Sequence, residues 1–179
     1  MYQVPRSRAG FTLLEVMLAC LLMTVAVLAL MALIPETVQL TETTEEGNLA
    51  LQSCHQMSEA IRQYADKDFA YVWRAYNSDA SDDPNGANSA LGNTFSVAGL
   101  ETAAGSSVVG TITFFTDETE NTATSNKAGL PKDLNGDSDA ADADVSATYT
   151  LLPYEVSVDW QDHAGRARHT ELFSQVADY

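Results

Sequence analysis

The sequence predicts an α+β chain: a long N-terminal helix, membrane-spanning in one half and amphipathic in the next, packed against a mostly antiparallel β-sheet head with a long acidic loop. Three observations carry this. Residues 11–34 form an unbroken apolar run with a single charge, residues 50–64 repeat apolar side chains at helical spacing, and beyond residue 95 short β-branched and aromatic runs are bounded by turn residues. At 179 residues the chain is long enough for one modest core rather than two.

The charge balance narrows the function classes. Lys and Arg number 9 against 25 Asp and Glu, a formal net charge of −16. Nonspecific nucleic-acid binding draws its free energy from cations that neutralise phosphates and release counterions, so direct binding to DNA or RNA is disfavoured. An acidic exterior suits an exported domain or one that binds divalent cations.

From Phe11 to Ile34 the run FTLLEVMLACLLMTVAVLALMALI has no Gly, no Pro and one charge, Glu15. At helical rise it extends about 36 Å, enough to cross a hydrocarbon core of roughly 30 Å. A secretory signal peptide has a shorter apolar stretch followed by a small-residue cleavage site; here the run is longer and continues into Pro35-Glu36, which predicts that it is retained. Arg6 and Arg8 precede the span, and Glu36, Glu42, Glu45 and Glu46 follow it, placing the N-terminus in the cytoplasm and the bulk of the chain outside.

Glu15 is the informative residue, because a charge at membrane depth costs about 2.5–3.5 kcal/mol on insertion scales and is rarely kept without a partner. The span offers no Lys or Arg. Cleavage between Gly10 and Phe11 would create an α-amino group four residues away, a candidate counter-ion for the Glu15 of another subunit. The alternative is a carboxyl that snorkels to the headgroups or is protonated.

The stretch Ser7-Arg8-Ala9-Gly10-Phe11-Thr12-Leu13-Leu14-Glu15-Val16 resembles the processing motif of type IV prepilins and type II secretion pseudopilins. In that family a short basic leader ending in Gly precedes an aromatic residue, an apolar helix, and Glu at the fifth mature position. The resemblance implies that Gly10 precedes the scissile bond and that Phe11 becomes the N-methylated terminus, both steps by a prepilin peptidase/methyltransferase. It also implies that Glu15 guides docking onto the terminal amine of a neighbouring subunit, on an inner-membrane assembly platform. The implied division is a leader at 1–10, a transmembrane or filament-core helix at 11–34, its amphipathic continuation at 35–66 and an extracytoplasmic head at 67–179. The protein would reside in the bacterial inner membrane and then in a pilus or pseudopilus at the periplasm or cell surface. The resemblance is specific over about the first 60 residues. Many major pilins carry a cysteine pair near the C-terminus; its absence here, with a loop-rich head, leans toward a minor component.

After Pro35 the apolar residues Ala50, Cys54, Met57, Ile61 and Tyr64 recur at spacings of 4, 3, 4 and 3, one face of a helix whose other face carries Gln52, Ser53, Glu59, Arg62 and Gln63. A helix from Phe11 to about Tyr64 follows, with a kink or loosening expected at Pro35 and Gly47. On one such helix Cys20 and Cys54 lie roughly 50 Å apart, far beyond disulfide reach. Cys20 then reads as a small apolar residue of the span and Cys54 as a core-facing thiol, with an intermolecular bridge as the alternative.

Phe69, Tyr71, Trp73 and Tyr76 form an aromatic cluster read as packing the head onto the helix, and NSDASDDPNG marks a loop. Strands are predicted near 95–100, 108–116, 148–160 and 166–176. The last two form a hairpin through Gln161–Gly165, with Val156, Val158 and Trp160 alternating toward the core.

Before that hairpin, with Asp133 counted as position 1, oxygen-bearing side chains fall at 1, 3, 5 and 7 (Asp133, Asn135, Asp137, Asp139) and Asp144 at 12. Alternate spacing of this kind wraps six to eight oxygens about a hard cation such as Ca²⁺. The fit to an EF-hand-type loop is partial: Gly136 stands at position 4, Ser138 occupies the glycine position 6, and Asp144 replaces the longer Glu. A structural Ca²⁺ is the expectation, against a solvated Asp-rich turn.

No catalytic constellation emerges. His55, His163 and His169 lack zinc-protease spacing, and neither a GxSxG elbow nor a Gly-rich phosphate loop is present. His163 and His169 flank the last turn, where surface or edge histidines are the expectation, against a pair facing each other across the hairpin. A structural subunit is the leading expectation, with a pilus-tip adhesin or calcium-dependent recognition module as the alternative.

Overall fold

A computed structural model describes residues 12–178. Helix α1 covers Leu13–Asp68. A 3-10 turn at Phe69–Tyr71 and a short helix α2, Val72–Tyr76, follow it. Then come β1 (Thr94–Phe95), β2 (Glu101–Thr102), β3 (Gly110–Phe114), helix α3 (Ala123–Lys127), β4 (Leu151–Gln161) and β5 (Ala167–Ala177). The chain divides into two compact units at Glu42/Thr43.

In the first unit, every described residue from 12 to 41 is exposed. The helix assignment runs through Pro35 and Gly47 without interruption. Proline removes one amide donor. Around it, the Thr37 hydroxyl donates to the Ile34 carbonyl (2.8 Å) and the Thr41 hydroxyl to that of Thr37 (2.9 Å), so polar groups close on the helix itself. Thr24 does the same within the apolar run, donating to the Cys20 carbonyl at 2.7 Å. In hydrocarbon, where no water can serve them, hydroxyls need such internal acceptors.

In the second unit, all sheet pairing is antiparallel and centred on β4. β5 pairs with β4 along its whole length, Leu151↔Ala177 to Gln161↔Ala167. A strand has only two edges, so β3 (against residues 154–158) and β2 (against 160–161) share the other edge in succession. The expected strand at 95–100 is therefore two short ones: Thr94–Phe95 pairs with β3 and Glu101–Thr102 with β4, separated by a turn. The predicted strands at 108–116, 148–160 and 166–176 are present within a few residues of their expected ends.

The core forms between the even-numbered side chains of β4 and one face of residues 46–61 of α1. Ala50, Cys54 and Ile61 are fully buried with Leu152, Tyr154, Val156 and Val158, while Met57 and Tyr64 pack partly against them. Each fully buried Val, Leu or Ile contributes about 1.5–3 kcal/mol. Burial pushes the Cys54 thiol up to about 11, which makes it an inert packing residue. The helical face extends beyond its apolar members. Ser58 lies 2.8 Å from the Tyr154 hydroxyl, and Glu46, only 6 % exposed, accepts from Trp160 Nε1 at 3.2 Å. Of the aromatic cluster, Tyr76 is buried and stacks edge-on with Tyr64, and Phe69 packs against Tyr149 with centroids 5.1 Å apart.

Candidate functional site

Gly10 and Phe11, the residues of the expected processing site, lie outside the described residues. The first described residue, Thr12, precedes the helix, and its hydroxyl accepts from the Glu15 backbone N–H at 3.3 Å. Glu15 thereby occupies the first turn. A carboxylate there sits at the positive end of the helix dipole, worth typically 0.3–1 kcal/mol and more where water is scarce. Around it, Leu14 (76 % exposed), Leu18, Leu21, Leu22 and Leu28 are uncovered. Among the described residues, one helix is long and apolar enough to cross a membrane. Apolar surface on this scale marks a membrane or protein contact.

The acidic loop is more ordered than its charge suggests. Asp133 accepts from the amides of Gly136 (2.6 Å) and Ser138 (2.9 Å). Asn135 accepts from Asp137, Asp137 from Asp139, and Asp139 from Ala141, each at 3.0 Å. Asp144, at the far end, accepts from Ser146. Leu130, Leu134 and Val145 anchor the loop in the core. Ser138, in the position where an EF-hand-type loop places glycine, has φ +81°, the left-handed conformation.

One residue absent from the sequence-based set organises this loop from outside. Glu118 is fully buried and accepts from the backbone amides of Leu134 (2.6 Å), Asn135 (3.3 Å) and Asp142 (3.3 Å). Its carboxylate lies with those of Asp139 and Asp142 in a cluster whose oxygens are within 4.8 Å of one another. Of the five expected ligands, then, Asp139 is grouped with two carboxylates that spacing within the loop did not nominate. Glu118 had no local signal, since its partners are brought to it by the return of the chain.

The histidines do not face each other. His163 stands in the turn and pairs with Glu46 of α1, whereas strand register sets His169 opposite Asp159, with Nδ1 2.8 Å from the carboxylate. The turn is built by Asp162, whose buried carboxylate accepts from the amides of Ala164 and Arg166 and from the guanidinium groups of Arg166 and Arg168. These bonds, led by the Arg166 amide, lower its carboxyl from an ordinary 3.8 to about 2.

Among known proteins, residues 5–31 match the prokaryotic N-terminal methylation motif. None of the curated proteins and none of the solved structures matches the chain. With the apolar helix and its single first-turn carboxylate in place, the chain carries the N-terminal methylation motif that is the signature of type IV pilin and pseudopilin-like precursors.

Proposed function

We propose that this protein is a structural subunit, a minor pilin or pseudopilin, of a type IV pilus or type II secretion pseudopilus. It is cut between Gly10 and Phe11 and assembled through its N-terminal helix with other subunits of its kind. The match to the methylation motif over residues 5–31 is the observation that carries this reading. The apolar helix holds the precursor in the inner membrane, with the head extracytoplasmic, until subunits exchange lipid contacts for one another. Its work is assembly rather than catalysis. Intact-mass measurement and N-terminal sequencing of the protein from native membranes or sheared filaments test this directly. The expected chain begins at Phe11 with an added methyl group; one beginning at Met1, or cut after Ile34, would overturn the assignment.

The acidic loop supports a further part of the reading, a structural Ca²⁺ held by residues 133–144. Favouring it are the left-handed Ser138 at the glycine position and the convergence of Asp139 and Asp142 on buried Glu118. Bound there, the ion would offset the repulsion among carboxylates and stiffen the loop. Replacing Asp133 and Asp137 by Ala is expected to lower the melting temperature of the full chain in detergent more when calcium is present than in chelator, where only the amide bonds that these carboxylates accept are lost. Equal shifts in both buffers would remove the metal from the account.

A further inference from the structure

One face of the β4–β5 hairpin carries a cluster outside the acidic loop. Side chains alternate along a strand, so Glu155, Ser157 and Asp159 of β4 share one face with His169, Glu171 and Phe173 of β5, the face opposite Val156 and Val158. Glu155, His169 and Glu171 each bring one potential ligand atom within 4.8 Å of the others. His169 is exposed and the two glutamates are half-buried.

We infer that Glu155, His169 and Glu171 form a binding site for a divalent transition metal of the zinc type, with Asp159 orienting the imidazole. The geometry at His169 points to it. Its Nδ1 meets the Asp159 carboxylate at 2.8 Å, the outer hydrogen bond by which a ligating histidine is usually held, and an imidazole that donates from Nδ1 presents the lone pair of Nε2. That atom faces Glu171 Oε2 at 3.5 Å, long for a hydrogen bond. Two ligands at zinc distances in tetrahedral arrangement stand about 3.3–3.6 Å apart, so the gap is of the size a bound ion sets.

Charge agrees. Three carboxylates, Glu155, Asp159 and Glu171, gather around His169, and Lys127 of α3 pairs with one of them, Glu171. Lys127 pairs with Glu171 Oε1 and leaves Oε2 on the side of His169. One imidazole among oxygens distinguishes this site from the all-oxygen loop, because imidazole suits zinc-type metals and oxygen alone suits calcium. Three protein donors on an open face leave at least one coordination position to water, and the ion would cross-link β4 to β5.

The test is a Co²⁺ titration of the full chain in detergent, with calcium in excess to occupy oxygen-only sites, followed through the visible ligand-field bands and then by displacement with Zn²⁺. Saturable binding of one Co²⁺ is expected, weakened at least tenfold by His169→Ala and by Glu171→Gln and unchanged by Asp139→Asn in the acidic loop. In the unsubstituted protein, Zn²⁺ is expected to shift the imidazole nitrogen resonances of His169 and to leave those of His55 in place, a readout that needs no variant to fold. Equal affinity in His169→Ala and the unsubstituted chain, no saturable binding, or an unmoved His169 resonance would each overturn the site.

Discussion

At the scale of single residues, carboxylates in this chain differ by their partners rather than by their number. Glu15 has the first turn of a helix around it, and its proposed role is to meet the amine of a neighbour. Glu15→Val is therefore expected to leave membrane insertion intact or improved while incorporation into filaments falls, read by comparing membrane-fraction and sheared-filament yields. Normal incorporation would remove that role. Asp162 works within the fold. Its carboxyl is lowered to about 2 from an ordinary 3.8, so the native state holds the charged form more strongly than the unfolded chain does. The resulting stabilisation is fully present above about pH 4 and is lost as pH falls through about 2. Denaturant unfolding across that window should depend less steeply on pH in Asp162→Asn, by about one proton at most. Identical slopes would show that the turn does not rely on the charge.

At the scale of elements, the β1–β3 pair depends on a missing side chain. Phe95 lies opposite Gly110, and a Cβ placed on Gly110 would meet the Phe95 ring at 2.4 Å. Gly110→Ala forces the ring aside or parts the strands, and a loss of about 1–3 kcal/mol is expected from equilibrium unfolding. Phe95→Ala together with Gly110→Ala should recover part of the Gly110→Ala loss, because the clash is removed; a fully additive double variant would place the fault elsewhere. Helix α1 shows the complementary case. Its buried face runs through Glu46, Ala50, Cys54, Ser58 and Ile61, and only the apolar members were legible as a stripe. Glu46 and Ser58 are polar, and what makes them interior is the Trp160 indole and the Tyr154 hydroxyl, both from β4.

At the scale of the whole molecule, the two units obey different solvents. Residues 12–41 are exposed, and up to Ile34 they are apolar but for Glu15 and two threonines, which calls for lipid or other subunits, while the unit from Thr43 onward closes its own core. The precursor is expected to stay in the membrane pellet after alkaline carbonate extraction and to enter solution only with detergent; release by carbonate alone would show that the helix does not span.

The sequence by itself determined the features whose physics is local. Helical rise makes the long apolar run long enough to cross a membrane. Period-two alternation makes strands of 151–161 and 167–177, and a Gly-Phe-Thr-Leu-Leu-Glu string carries its chemistry wherever the chain goes. Only the tertiary structure decided which polar groups go inside and which strands meet. β2 and β3 share one edge of β4, Glu118 reaches amides 16 to 24 residues away, and register sets His169 against Asp159 rather than His163. Burial of a charge is favourable only when distant donors converge on it, and no period along the chain encodes that convergence.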